Sequence, residues 1–216
     1  SELSFGDVNI ADFVYMYKKM QFHNHQNLGF EQLTKPLSKN YDTEATWLRL
    51  PENVVRQYRN LLQPDRNGYY VRNNHFEGLM FALKNAALMV TMTEGSDLGV
   101  AMSTNALELS GSTSEEVSLY FYDRYVGGLG FAEKIYDLIP KVTEQAIRMV
   151  SGCRCKNGCA VCIGNDRLDR NVILWGLKNL SEESELTVQK TRNISYPDEK
   201  NTEWNRSGQR EFTLSD

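Results

Sequence analysis

The chain has 216 residues, 41% hydrophobic and 24% charged, with a formal net charge of −4. That length buries a real core, as one large domain or two small ones, and the composition is that of an ordinary globular protein. No apolar run reaches the ~18 residues of a membrane span and the start lacks a signal-peptide pattern, so a cytoplasmic protein with no membrane partner is expected.

The first fifty residues read as β-rich. Residues 8–22 alternate β-branched and aromatic residues with polar ones, and Lys18-Lys19 interrupts the run. Asn27-Leu28-Gly29 and Lys35-Pro36 are turn signals, and residues 44–50 read as a further strand ended by Pro51. Pro51 opens a short helix to about Leu62. Residues 64–68 (Pro-Asp-Arg-Asn-Gly) are a loop by composition. Phe76, Leu79, Met80, Leu83, Ala86, Ala87 and Val90 then recur at helical spacing, which makes one buried face.

Gly95-Ser96-Asp97 ends that helix. Residues 98–103 are expected to be extended, residues 107–113 to end in a polar loop, and residues 117–122 to form a strand. After the glycine turn at 127–130, a helix runs to about Ser151 with Ile135, Ile139, Val142, Ala146 and Val150 on one face. Pro140 within it predicts a kink or two abutting helices. Asp169 is a good N-cap for a helix over residues 170–180. Beyond Ser181 the chain is polar, with one extended candidate at 186–191 and a last fifteen residues that read as a mobile tail. The fold class is therefore α+β. A β-rich segment (1–50) with an antiparallel arrangement precedes a mixed, mainly helical domain (51–180), and a polar extension (181–216) follows.

All four cysteines lie within ten residues, spaced C-x-C-x3-C-x2-C: Cys153, Cys155, Cys159 and Cys162. A disulfide framework would spread its bridges to staple distant loops. Four soft thiolates suit a closed tetrahedral zinc site, which is structural because no position remains for water. Gly152, Gly158 and Gly164 let the backbone turn between ligands, and Arg154 and Lys156 are placed to screen the negative charge. A redox pair Cys159-x-x-Cys162, an iron–sulfur cluster and buried free thiols are the alternatives. The redox pair leaves two thiols unexplained, and the Arg, Lys, Asn and Gly between the cysteines argue against an apolar core.

Charge is uneven along the chain. Between Arg148 and Lys178 six basic residues face two acidic ones, so that window is +4 and the remainder −8. Either this is a phosphate-facing surface or a solvated face that offsets the thiolates. Gly127, Gly128 and Gly130, between a strand and a helix, either present backbone N–H groups to a phosphate or make a tight connection. Neither a dinucleotide fingerprint nor a P-loop is present. His23 and His25 share a strand face or sit in a loop, and His75 is read as a capping or packing residue.

Tyr122-Asp123, Gly127-Gly128-x-Gly130-Phe131 and the cysteine run together resemble the C-terminal zinc-binding domain of the mitomycin repair (MrfA-type) helicases. Leu168-Asp169-Arg170 resembles the segment after the cysteines, and Tyr17-Lys18-Lys19, Asn27-Leu28-Gly29 and Trp47-Leu48 the segment before. Val126 stands where that family often has proline. The resemblance implies part of a superfamily 2, 3′-to-5′, ATP-dependent DNA helicase acting in repair. Its partners would be DNA and the helicase motor lobes or a partner repair protein. It also implies structural Zn2+, and ATP bound only on motor lobes that this chain lacks. Arg154, Lys156, Arg167 and the three glycines would then contact DNA phosphates. The alternative is a separate scaffolding subunit, for example of an anti-phage defence system.

Overall fold

A long antiparallel hairpin organises the N-terminal fifty residues. It comprises β1 (Glu2–Met20) and β2 (Asn27–Arg49), paired along almost their whole length. This computed structural model describes residues 2–61, 75–109, 112–182 and 187–190, with the backbone alone at 105–109, 112–115, 182 and 187–190. The expected loop at 64–68 and the expected tail lie outside the described residues.

One expected interruption and two expected turns fall within strands instead. Lys18-Lys19 does not interrupt β1, because each residue still pairs across the ladder. The chain reverses at Gln21–Gln26, where backbone bonds and the Asn24 side chain close the loop. Asn27-Leu28-Gly29 falls inside β2 beside a register shift, and Gly29 absorbs it at φ 111°. Lys35-Pro36 also lies within β2. There, residues 33–36 oppose Tyr15 alone, and an irregularity tolerates a residue with no N–H to donate. The strand expected at 44–50 is the last part of β2.

α1 (Glu52–Asn60) starts after Pro51, and α2 (His75–Thr91) buries the expected Phe76, Leu79, Leu83, Ala86 and Ala87. β3 (Leu98–Leu109) and β4 (Ser112–Asp123) pair in full register, so strand occupies most of the span expected to be a loop. The extended candidate near the end is β5 (Thr187–Lys190), parallel to the start of β1. The five strands form one sheet in the order β3-β4-β2-β1-β5.

One face of the sheet meets the helices through Leu3, Phe5, Leu48, Leu119 and Phe121. Its other face carries a second cluster built from Val8, Ile10, Tyr41, Tyr120 and Tyr122, with Trp47 stacked on Tyr120 at 5.7 Å. α3 (Phe131–Gly152) is one helix, not two. Pro140 gives up a single backbone bond, while Ile135, Ile139, Val142 and Ala146 on either side remain buried. Shared burial outweighs one missing bond. α4 (Arg170–Glu182) buries Ile173, Leu177 and Leu180, and the Tyr58 hydroxyl of α1 donates to the Val172 carbonyl at 3.2 Å.

The glycine turn links β4 to α3. Gly127, Gly128 and Gly130 all have φ near +80°, which an L side chain resists. That conformation wraps the backbone around Asp123, which is fully buried. Its carboxylate accepts from the N–H groups of Leu129 (2.5 Å), Phe131 (3.2 Å) and Ala132 (2.9 Å). A buried carboxylate thus satisfies the orphan donors at the N-terminus of α3 and complements its dipole. Asp123→Ala strips the acceptor from three amides, so urea unfolding should show a loss of about 3 kcal/mol or more. Asp123→Asn, which keeps one acceptor oxygen, should lose less.

Candidate metal centre

The cysteine loop hangs between two helix ends. α3 stops because Cys153 turns extended, at φ −70° and ψ 131°. α4 starts because the Asp169 carboxylate accepts from the Asn171 N–H at 2.8 Å, as an N-cap should. The loop is closed across its mouth by the Arg170 N–H, which donates to the Asn157 carbonyl at 2.6 Å. Gly158 fits only without a side chain, since a Cβ there would stand 2.6 Å from the Leu168 carbonyl oxygen.

Within this loop the four Sγ atoms all lie within 4.8 Å of one another. Cys153 and Cys159 are 3.8 Å apart, Cys155 and Cys162 3.7 Å, and Cys159 and Cys162 3.5 Å. Zinc–sulfur bonds of about 2.3 Å at tetrahedral corners require sulfurs about 3.8 Å apart. The four donors fit one ion. Thiolates on different irons of a multi-iron cluster would have to stand farther apart. Cys162 is buried, and the other three pack against the main core at partial exposure.

As free thiols the cysteines differ in proton affinity. Backbone N–H groups of Cys162 and Val161 point at Cys159 and lower its pKa to about 7. Burial pushes Cys162 up to about 12 and raises Cys155. Binding of a dication by these four sulfurs would release their protons, most readily from Cys159.

Arg170 braces the site. Its guanidinium donates to the Cys153 carbonyl and approaches Cys155 Sγ at 3.9 Å. The sequence placed Arg154 and Lys156 in the screening role, but both are exposed, and the contact to sulfur comes from a helix start fifteen residues beyond Cys155. Arg167 is exposed as well. Arg170 was legible as a basic residue after a helix cap and as the end of the Leu168-Asp169-Arg170 segment, but not as a partner of sulfur.

The expected DNA-contacting residues fall into two places. Arg154, Lys156 and Arg167 surround the cysteines. Gly127, Gly128 and Gly130 sit at the opposite end of α3, whose 22 residues span about 33 Å. Most amides of the glycine turn are already occupied. Gly127 donates to Asp42, Gly128 to Tyr125, and Leu129, Phe131 and Ala132 to Asp123. His23 and His25 lie at the exposed hairpin tip. His75 opens α2 beside the Tyr58 ring at 5.6 Å, with its pKa lowered by burial and opposed by Asp169. Among the described residues, the four cysteines are the one group of three or more possible metal ligands that converge.

The family description "MrfA Zn-binding domain" matches residues 79–163, from within α2 to just past Cys162. This stretch is a MrfA-type zinc-binding domain. Its cofactor is structural zinc. The chain is 23% identical over 166 residues to the ATP-dependent helicase YprA of Bacillus subtilis, covering 77% of this chain and 20% of that protein. It is 31% identical over 49 residues to an uncharacterized protein of Methanocaldococcus jannaschii, covering 23% of this chain and 44% of the relative. A MrfA helicase solved bound to DNA shares the fold, with a TM-score of 0.54 at 21% identity, over 82% of this chain and 22% of that one. The chain thus resembles a helicase-associated module and spans about a fifth of the length of the helicase it matches. Among the described residues no helix is long and apolar enough to cross a membrane.

Removing an outer-sphere partner weakens metal sites about 10- to 100-fold. Arg170→Ala should therefore keep the fold at saturating zinc yet lose the ion about tenfold more readily to a chromophoric chelator. Cys159→Ser should retain no stoichiometric zinc by native mass spectrometry and should lose protection from hydrogen exchange through the loop and α4.

Proposed function

We propose that the chain is the non-catalytic zinc module of an ATP-dependent DNA helicase of the repair type, that Cys153, Cys155, Cys159 and Cys162 are its four zinc ligands, and that the rigid loop they create lines the path of the DNA. The supporting observation is the placement of charge. Arg154, Lys156 and Arg167 all stand exposed on a loop whose own backbone is fixed by sulfur, Asn157 and Asp169. The stretch from Arg148 to Lys178, which includes this loop and the flanking helix ends, carries +4 on a chain that is otherwise −8. Cations held on a stiff loop approach phosphates without first losing much backbone entropy.

A closed four-thiolate site leaves no coordination position for substrate, so zinc acts here through shape alone. Catalysis belongs in this reading to motor lobes elsewhere in the helicase, which bind ATP. The glycine turn contributes indirectly. Gly127, Gly128 and Gly130 hold the Asp123 cap and thereby the far end of α3.

A second reading has one specific observation behind it. Val126 and Leu129, three positions apart in the glycine turn, are both exposed apolar side chains. They suit docking against motor lobes or a partner repair protein, whether the module is covalently part of the helicase or a separate subunit.

Three phosphate contacts make log K fall with log salt at a slope near −2 on single strands. Arg154→Ala/Lys156→Ala/Arg167→Ala should flatten that slope by about 2 in fluorescence anisotropy with labelled DNA, with zinc content unchanged. An unchanged slope would remove the loop from the DNA path and leave docking as its role.

A further inference from the structure

A third strand flanks the β1–β2 hairpin only as far out as Gly6 and Ala45, and the last apolar side chains buried along it are Ile10 and Tyr41. β2 pairs with β4 only over Ala45–Arg49, and β1 pairs with β5 only over Glu2–Phe5. The outer residues therefore form a two-stranded arm, with about eight residues of β1 projecting roughly 25 Å.

The arm's two faces differ. Tyr17, Lys19 and Glu31 share one face, where the Tyr17 hydroxyl donates to Glu31 Oε2 at 2.7 Å and Lys19 pairs with the same carboxylate. Those bonds hold the register of a ribbon that has no third strand. The opposite face follows from the same alternation and carries Val14, Met16, Lys18, Met20, Phe30 and Leu37, all exposed. Phe30 is 67% exposed, and Phe22 at the tip is 89% exposed, its edge against the His23 ring at 5.6 Å.

Charge distinguishes the outer part of the arm from its root, where Asp7, Asp12, Asp42 and Glu44 lie. Residues 13–39 hold four lysines (18, 19, 35 and 39) and one glutamate, a net +3, so the rest of a chain of −4 carries −7. A surface that is apolar and destined for protein alone has no need of that segregation. Bare rings flanked by cations on an acidic protein suit a ligand with flat apolar faces and a polyanionic backbone.

We propose that the β1–β2 arm is a binding element for single-stranded nucleic acid, with Phe22 and Phe30 stacking on bases and Lys18 and Lys35 meeting phosphates. Unpaired bases offer π-faces that a duplex keeps stacked inside, so the arm selects single strands. The inference deepens the DNA-handling role, rests on it for the choice of ligand, and places contacts away from the cysteine loop. At the arm's root Asp42 accepts from the Gly127 N–H at 2.8 Å, so a bound strand would leave the arm beside the glycine turn.

The test is anisotropy of labelled oligothymidine and of a hairpin duplex with the full chain at several salt concentrations. Phe22→Ala/Phe30→Ala, both at exposed positions, should weaken oligothymidine binding about tenfold or more with unchanged circular dichroism and zinc content. Lys18→Ala/Lys35→Ala should flatten the salt slope by about 1.4. Arg154→Ala/Lys156→Ala/Arg167→Ala serves as the reference for the cysteine loop. If both arm variants bind like the parent while the loop variant loses affinity, the arm proposal is overturned and the DNA-handling reading stands. If the parent binds no oligonucleotide at low salt, both fall. If the arm variants instead abolish self-association and leave DNA binding untouched, the arm is a protein contact and the proposal is overturned.

Discussion

Four sulfur atoms converging on one dication are the constraint from which the helical half of the molecule takes its shape. The loop between α3 and α4 has little else to order it. Cys162, Ile163 and Leu168 are its main buried side chains, and most of the rest is polar or exposed. A zinc ion contributes on the order of 10 kcal/mol to folding, comparable with the whole stability of a small domain. The ion fixes where α3 ends and α4 begins. Through α4 it also fixes the contact of Ile173 and Leu177 with the core and the Tyr58 bond to Val172.

The other end of α3 is held by an anion instead of a cation. Asp123 gathers amides that would otherwise be unpaired, and three left-handed glycines bring the chain around to reach it. α3 is therefore a strut clamped at both ends, joining the C-terminal end of β4 within the sheet to the zinc loop. This explains how one helix accommodates Pro140. It also sets far apart the surfaces proposed to make contacts: the cysteine loop at one end, and the glycine turn with the root of the arm at the other.

Much of this was legible in the chain itself. The cysteine spacing pointed to one shared metal site, because the polar neighbours argue against buried free thiols and a redox pair leaves two thiols unexplained. The sulfur–sulfur distances then favour a single ion over an iron–sulfur cluster. The periodicity of α2 and of α3 predicted most of their buried faces, although Met80 and Val90 are only half-buried and Ala82 and Tyr136 join the core unannounced. Asp169 acts as the cap its position promised. The hairpin was harder. Lys18-Lys19 and Lys35-Pro36 look like interruptions because local propensity cannot see a ladder partner, and a bulge absorbs the proline that an isolated strand would not tolerate. Asp123 was visible only as half of a Tyr-Asp motif. Its role depends on a turn that brings residues six to nine positions later back onto its carboxylate. Arg170 likewise acquires its place by folding: the sequence marked it as part of the Leu168-Asp169-Arg170 segment after the cysteines, but not as the side chain that reaches Cys155.

The most direct test of the metal's role is X-ray absorption at the zinc edge of the purified protein. One shell of four sulfurs at about 2.3 Å, with no nitrogen or oxygen scatterer, is the predicted result. A mixed sulfur and nitrogen or oxygen shell, or no bound zinc in a protein that keeps α4 in place, would contradict it.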